Sequence, residues 1–392
     1  MSERKIIAVI VASSIYNQKG LFNAVHNRVR YLKRIATYDI DVFLLSTYHG
    51  AFVSRLTGRK TQQRPIHFEK DGVSYHILWR KNSILDFVLY HKLHKRELFH
   101  SLYDKRTACL FKDYDLLDVH SGAGNLALQV NKQFGIPYII TWHGSDIHTS
   151  AYNSKSQYRQ TKEMLESATY NCFVSSGLVN YAKKITSSFK YGILYNGANE
   201  NFFKYDDINR CELRKKYGVA ESKIVAFIGN LLEVKNPLSL PSIFEKVVGK
   251  YDGKVVFWII GDGILRVQLE KQLKGKNLNY KAWGNQPVEK IPELLQCVDV
   301  VVLPSFKEGF GMVLVEAIKC GANAVASRVE GTKEILGEED TFELNESFTE
   351  IISTRIANYL RNRKEQYLNP NFSWRKTAEK ENEIVKSIIY HK

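Results

Sequence analysis

The stretch DVVVLPSFKEGFGMVLVEAIKCGANAVASR (299–328) decides the fold. It begins with the continuous apolar run Val300–Leu303, which Pro304 and Ser305 break. A glycine-bearing loop follows, Glu308-Gly309-Phe310-Gly311. MVLVEAIKC then reads as helix, because Met312, Val315 and Ile318–Lys319 recur at helical spacing. NAVASR (323–328) returns as a second buried strand. Strand, loop, helix and strand in this order build a parallel α/β sheet.

The same alternation runs outward in both directions. Upstream, the strand candidates are KIVAFIG (223–229), KVVFWIIG (254–261) and YKAWG (280–284). Further back lie KIIAVIVAS (5–13), DVFLLS (41–46), VSYHILW (73–79) and LLDVH (116–120). PYIITWH (137–143), NCFVSS (171–176) and GILYNG (192–197) complete the first series. A charged helical stretch, YDDINRCELRKKYG (205–218), separates the two series. The pattern predicts two doubly wound α/β domains with a boundary near 198–222. Ligands of such sheets bind beyond the carboxyl ends of the strands.

The chain has 392 residues, 44% hydrophobic and 25% charged, which excludes a coiled coil, collagen or wholesale disorder. No apolar run approaches the ~18 residues of a membrane span. IIAVIVA (6–12) reads as a core strand and not as a signal peptide. Five scattered cysteines without a C-x-x-C pair argue against a zinc site or disulfide framework and fit a reducing cytoplasm. The net charge is +15, concentrated in residues 1–200, which hold 27 basic and 15 acidic residues. The segment 82–106 carries Ile84, Leu85, Val88, Leu89, Leu93 and Leu98 at helical spacing, with Lys92, Lys95 and Arg96 between them. It suits an anionic membrane surface, or equally a surface helix with solvated charges. No nucleic-acid recognition motif is present, so nucleic acid is not an expected partner.

The loop and helix after Leu303 carry the chemistry. A helix N-terminus offers unpaired N–H groups to an anion. Gly309 and Gly311 allow close backbone approach. Glu308 lies at the ligand level, and Glu316 lies about 7 Å deeper along the helix. Two carboxylates at different depths suit two different sugars. His143 closes a strand and precedes Gly144, and His120 ends the strand before it.

Glu308 and Glu316, followed by Gly321 and Glu330-Gly331-Thr332-Lys333-Glu334-Ile335, resemble the C-terminal signature of family 4 of the retaining glycosyltransferases. Ile260-Gly261-Asp262-Gly263, Tyr195-Asn196-Gly197 through Phe202, and Trp142-His143-Gly144-Ser145-Asp146 fit the same resemblance in order and spacing. It implies the GT-B fold, two Rossmann-like domains facing an interdomain cleft. Residues 1–200 would bind the acceptor, and residues 201–392 the nucleotide sugar, with the last helix able to cross back.

The resemblance implies sugar transfer from a nucleotide diphosphate sugar to a glycan or lipid-linked hydroxyl acceptor. Anomeric configuration would be retained, by front-face substitution, in bacterial surface polysaccharide assembly. A nucleotide-sugar 2-epimerase and a non-catalytic nucleotide-sugar-binding relative are the alternatives. Glu308 would contact the donor sugar and Glu316 the ribose. Lys235 would hold the diphosphate, and His143 would stabilise the reacting complex. Asn230 stands where the family carries an arginine, and it cannot supply that forked charge. Gly20, Gly284, Gly309, Phe310 and Gly311 complete the expected donor site, and His120 and Asp146 the acceptor site. Neither a metal nor a further cofactor is expected. The resemblance places the protein in the cytoplasm, with the inner face of the plasma membrane as an expected surface.

Overall fold

The computed structural model describes residues 4–16, 18, 20–49, 63–85, 98–198 and 203–390. Two compact units emerge, Met1–Tyr195 with Trp374–Lys392, and Asn196–Ser373. The second domain was expected over residues 201–392 with its last helix able to cross back, and the helix Trp374–Ile389 groups with the first unit. That helix buries Val385 and Ile389 in the same core cluster as Val25 and Val29 of the helix Leu21–Ile35.

In the first unit the described strands are β1 (Ile6–Ala12), β2 (Asp39–His49), β3 (His67–Lys70), β4 (Val73–Asn82), β5 (Leu116–His120), β6 (Tyr138–Trp142), β7 (Tyr170–Phe173) and β8 (Tyr191–Ile193). Their order in the sheet is β3-β4-β2-β1-β5-β6-β7-β8. All pairs are parallel except β3 with β4, an antiparallel hairpin whose first strand was not among the strand candidates. Asp71 and Gly72 turn that hairpin with positive φ, 46° and 74°, as a two-residue turn requires. β5 and β6 are buried along their whole length, so they read as continuous apolar runs and not as alternating ones. The helix Leu21–Ile35 buries Phe22, Val25, Val29 and Leu32 at three- and four-residue spacing, which fixes its inner face.

In the second unit the strands are β9 (Lys223–Ile228), β10 (Val255–Ile260), β11 (Tyr280–Gly284), β12 (Val300–Leu303), β13 (Asn323–Ser327) and β14 (Thr341–Phe342). They pair in the order β11-β10-β9-β12-β13-β14, all parallel. The helix Asp207–Lys216 leads in, capped by Asp206, whose carboxylate accepts from Asn209 N–H. Phe244 stacks on Phe257 at 4.1 Å between ring centres in the core.

Each sheet has one point where the chain reverses its direction of winding. It lies between β1 and β5 in the first unit and between β9 and β12 in the second. The loops that leave adjacent strands there part in opposite directions and open a crevice at the carboxyl ends. No helix among the described residues is long and apolar enough to cross a membrane. Ile84 and Leu85 are about half exposed, but Val88, Leu89, Lys92, Leu93, Lys95 and Arg96 lie outside the described residues. So do Lys19, Phe202 and most of the basic loop at 55–64.

Candidate functional site

In the second unit, the crevice between β9 and β12 is walled by the loops after Ile228 and Leu303. Phe306 N–H donates to Val234 C=O at 2.9 Å and ties the two loops together. This brings the Lys235 ammonium onto the Glu308 carboxylate as an ion pair. Both side chains are partly buried, 23% and 14% exposed, so the pair is neither a free surface contact nor sealed. Ser305 Oγ lies 3.5 Å from the same carboxylate. The helix Met312–Lys319 starts immediately beyond, with Gly311 at its N-cap in the left-handed region (φ 94°).

Close approach shapes the loop. A Cβ on Gly331 would lie 2.2 Å from Phe310 Cα and 2.5 Å from its carbonyl oxygen. Only glycine lets the helix Glu330–Leu336 abut this loop. The Phe310 ring is 2% exposed and packs edge-on against Phe372 at 5.2 Å. Its side chain therefore anchors the loop from inside, and only its backbone is placed to meet a ligand. Gly309 is buried in the same turn. Glu316 lies one turn into the helix, half-buried as a residue, with its carboxyl enclosed by protein. That surrounding pushes its carboxyl up to about 7.

Asn230 is exposed at the end of β9. Its loop is laced to the turn after β10 by Leu231 N–H to Asp262 C=O (3.0 Å) and Leu265 N–H to Leu231 C=O (3.1 Å). Arg266 follows that turn, bonded to Asp262 (3.1 Å) and Glu270 (2.7 Å). Its Nη1 would lie 3.4 Å from a Cβ on Gly284, the last residue of β11. Sequence reasoning missed this cation. The signal was an arginine shortly after Gly261-Asp262-Gly263.

In the first unit, His120 ends β5 and His143 follows β6. His120 Nδ1 and His143 Nε2 lie 3.1 Å apart. His120 is 1% exposed, so it differs from the expected acceptor contact: it reaches the site through His143. Burial, with the Arg28 cation as a second cause, drives the His143 imidazole down to about 3. Burial, Arg28 and His143 together hold His120 well below its usual range. Burial thus disfavours the charged form of both rings.

Asp146 accepts from His143 N–H (3.0 Å), Gly144 N–H (2.8 Å), Ile147 N–H (3.0 Å) and Ser121 Oγ–H (2.6 Å). Both of its oxygens are therefore engaged in fixing the turn that carries His143. Gly20 is the N-cap of the helix Leu21–Ile35, with φ 41°, and its carbonyl accepts from Ala24 N–H at 3.0 Å.

A buried charged network lies next to the imidazoles. Arg28 Nε donates to Glu381 Oε2 at 3.0 Å, and Nη2 lies 2.8 Å from Oε1. Arg28 Nη1 donates to Thr141 Oγ1 at 3.3 Å. Asp118 is fully buried, and burial together with Glu381 pushes its carboxyl well up. Asp118, His120 and Glu381 are close enough to hold a cation, but the Arg28 guanidinium already supplies the positive charge there. Sequence reasoning missed all three charged residues. Two left a trace: Asp118 interrupts an otherwise apolar strand, and Arg28 sits between Val25 and Leu32 on the apolar face of its helix.

Residues 209–376 match the family described as glycosyl transferases group 1. Among curated relatives, the putative teichuronic acid biosynthesis glycosyltransferase TuaC of Bacillus subtilis is 25% identical, over 90% of this chain and 88% of its own length. The N-acetyl-alpha-D-glucosaminyl L-malate synthase of Bacillus anthracis is 29% identical, over 59% and 61%. Among solved structures, sucrose-phosphate synthase of Thermosynechococcus elongatus superposes with a TM-score of 0.78 at 17% identity, covering 99% of this chain and 100% of that one. HepE of Anabaena, solved in complex with UDP and glucose, gives 0.67 at 16%, covering 98% and 97%. The two parallel α/β units, the matched segment and the relatives named as glycosyltransferases together support a glycosyltransferase of the GT-B fold.

Proposed function

We propose that this protein moves a sugar from a nucleoside diphosphate sugar, UDP- or GDP-linked, to a hydroxyl of a glycan or lipid-linked acceptor, with retention at the anomeric carbon. The observation that carries the reading is the placement of Lys235, Glu308 and the N-terminus of the helix Met312–Lys319 together at the β9/β12 switch point. A cation and oriented N–H groups suit a departing diphosphate, and a carboxylate beside them suits sugar hydroxyls. Glu316, a turn deeper, is the proposed ribose contact. His143 is the proposed hydrogen-bonding partner of substrate in the first unit.

In this mechanism the protein supplies positioning and charge stabilisation, and the leaving phosphate takes the acceptor proton. The relatives support polysaccharide assembly as the setting: one is named for teichuronic acid synthesis, and another, from Escherichia coli and 26% identical, is named as a galactosyltransferase acting on a diphosphoundecaprenol-linked sugar. A lipid-linked acceptor and the net charge of +15 together favour the inner face of an anionic membrane.

The test is a thermal-shift screen of UDP-, GDP- and ADP-sugars, followed by a transfer assay on the best donor. One nucleotide sugar is expected to raise the unfolding temperature. Glu308→Gln is expected to lower transfer at least about a hundredfold while the fold persists. Absence of binding by every nucleotide sugar would overturn the reading.

A further inference from the structure

Three aromatic rings gather near the carboxyl ends of adjoining strands in the first unit. Tyr16 lies in the loop that leaves β1, Tyr48 is the last residue but one of β2, and Trp79 lies shortly before the end of β4. Tyr48 stands opposite Lys81 in the register of β2 and β4, and Trp79 shares the strand face of Lys81. The ring centres of Tyr48 and Trp79 are 6.3 Å apart and nearly perpendicular, at 81°. Those of Tyr16 and Trp79 are 6.4 Å apart with a 34° tilt. The ends of β1, β2 and β4 point the same way as those of β5 and β6, so the rings lie on the same end of the sheet as His143.

The segment Gln63-Arg64-Pro65 is strapped across these rings. The Tyr16 hydroxyl donates to Gln63 C=O, and the Trp79 indole N–H donates to Pro65 C=O at 2.7 Å. Held on both sides, Arg64 lays its guanidinium on the Tyr48 ring, with Cζ 4.4 Å from the ring centre. Stacking uses the flat face of the guanidinium and leaves its N–H edge to point outward. Arg64 and Lys81 are both exposed, and neither has a carboxylate or other acceptor among the described residues. An ordinary surface arginine moves among many rotamers; this one is oriented before any ligand arrives. The hydroxyl of Tyr16 and the N–H of Trp79 are taken up by the strap, so what these rings still offer is apolar surface, and Tyr16 is 46% exposed.

We propose that Arg64, Lys81 and the Tyr16–Tyr48–Trp79 rings form a binding site for an acidic sugar, and that this sugar belongs to the acceptor glycan. The oriented guanidinium fork matches a carboxylate or a phosphate, whose two oxygens it meets with two parallel N–H groups. Lys81 adds a second positive charge across from Tyr48. The electron-rich face of an exposed ring takes the C–H face of a pyranose. A sugar ring that carries an acidic group satisfies all three at once; a neutral sugar leaves the fork unused, and a simple anion leaves the rings unused. That the sugar is the acceptor rests on the function proposed above; the acidic-sugar site does not.

The experiment is calorimetric titration of the full-length protein, without donor, against a panel of short glycans. The panel holds oligomers of galacturonate, glucuronate and mannuronate, their neutral methyl esters, and the phosphates of glucose and N-acetylglucosamine beside the free sugars. At least one acidic member is expected to bind, and its neutral counterpart at least about tenfold more weakly. The uronate and phosphate arms tell which acid the fork takes. Arg64→Gln should weaken that binding at least about tenfold, and Arg64→Lys, which keeps the charge and loses the fork, at least about threefold. Tyr48→Leu removes the shelf under the guanidinium and should cost about fivefold. Binding by no acidic member overturns the proposal, and so does acidic-sugar binding that Arg64→Gln leaves unchanged. Sedimentation with phosphatidylglycerol vesicles that Arg64→Gln abolishes, with no acidic sugar bound, assigns the surface to lipid and overturns it equally. Acidic-sugar binding without any nucleotide-sugar binding would instead reject the proposed transfer and leave this site standing.

Discussion

Lys235 and Glu308 neutralise each other in the structure, so a ligand diphosphate must compete with a carboxylate for the same ammonium. Lys235→Ala should therefore weaken binding of a nucleoside diphosphate at least about tenfold and leave the free nucleoside within about twofold. Calorimetry on both ligands decides this, and equal losses would remove Lys235 from the phosphate. Glu316 makes a separate prediction about stability. Its folded value of about 7 lies above the ordinary 4.5, so the folded state retains a proton that the unfolded chain releases. The resulting stabilisation is fully present below about pH 4.5 and is lost as pH rises through 7. Denaturant unfolding at pH 5 and pH 8 should show wild type losing roughly 1–3 kcal/mol more than Glu316→Gln. Glu308, Glu316 and His143 stand out in the sequence because each follows a recognisable strand or glycine turn, and Lys235 stands out only through the family resemblance. Asp118 and Arg28 were legible only as polar residues in apolar positions. Glu381 was not legible at all, because one acid in the charged helix WRKTAEKENEIVKSII looks like any other until its face is known.

At the scale of elements, the prediction falls on the contact between the helix Glu330–Leu336 and the loop before the helix Met312–Lys319. Gly331→Ala forces a methyl into the Phe310 backbone, a fixed wall and not a flexible side chain. The loop must shift, at about 1–3 kcal/mol. Nucleotide affinity should drop about tenfold in calorimetry, with the circular dichroism spectrum unchanged. Unaltered affinity would mean that the loop backbone plays no part in binding. The strands were legible because a strand buried on both faces is a continuous apolar run, as in IIAVIVA or VVFWII. β3 and β14 were missed for a physical reason. β3, HFEK, is half-exposed and short, and β14 has two residues, so neither buries enough apolar surface to leave a pattern. The hairpin nonetheless had a local signal in Asp71-Gly72, the pair that tolerates positive φ on both residues.

At the scale of the whole molecule, the helix Trp374–Ile389 closes the first unit, and the fastening is electrostatic as well as apolar. Arg28 and Glu381 are separated by 353 positions in sequence, yet each is almost wholly buried and bonded to the other. The apolar contacts of Val385 and Ile389 explain why the helix returns; the ion pair explains in which register it does so. Removing one partner leaves the other charge buried and unpaired, which costs about 3–5 kcal/mol. Arg28→Met alone and Glu381→Leu alone should each destabilise the protein by that order. In the double variant, Arg28→Met with Glu381→Leu, no unpaired charge remains and the apolar chains can fill the space. Its stability should return to within about 1–2 kcal/mol of wild type, because a well-packed apolar pair replaces a buried ion pair at little net cost. Denaturant titration of the four proteins measures the coupling directly. Additive losses in the double variant would show that the two side chains act separately and that register is set by packing alone.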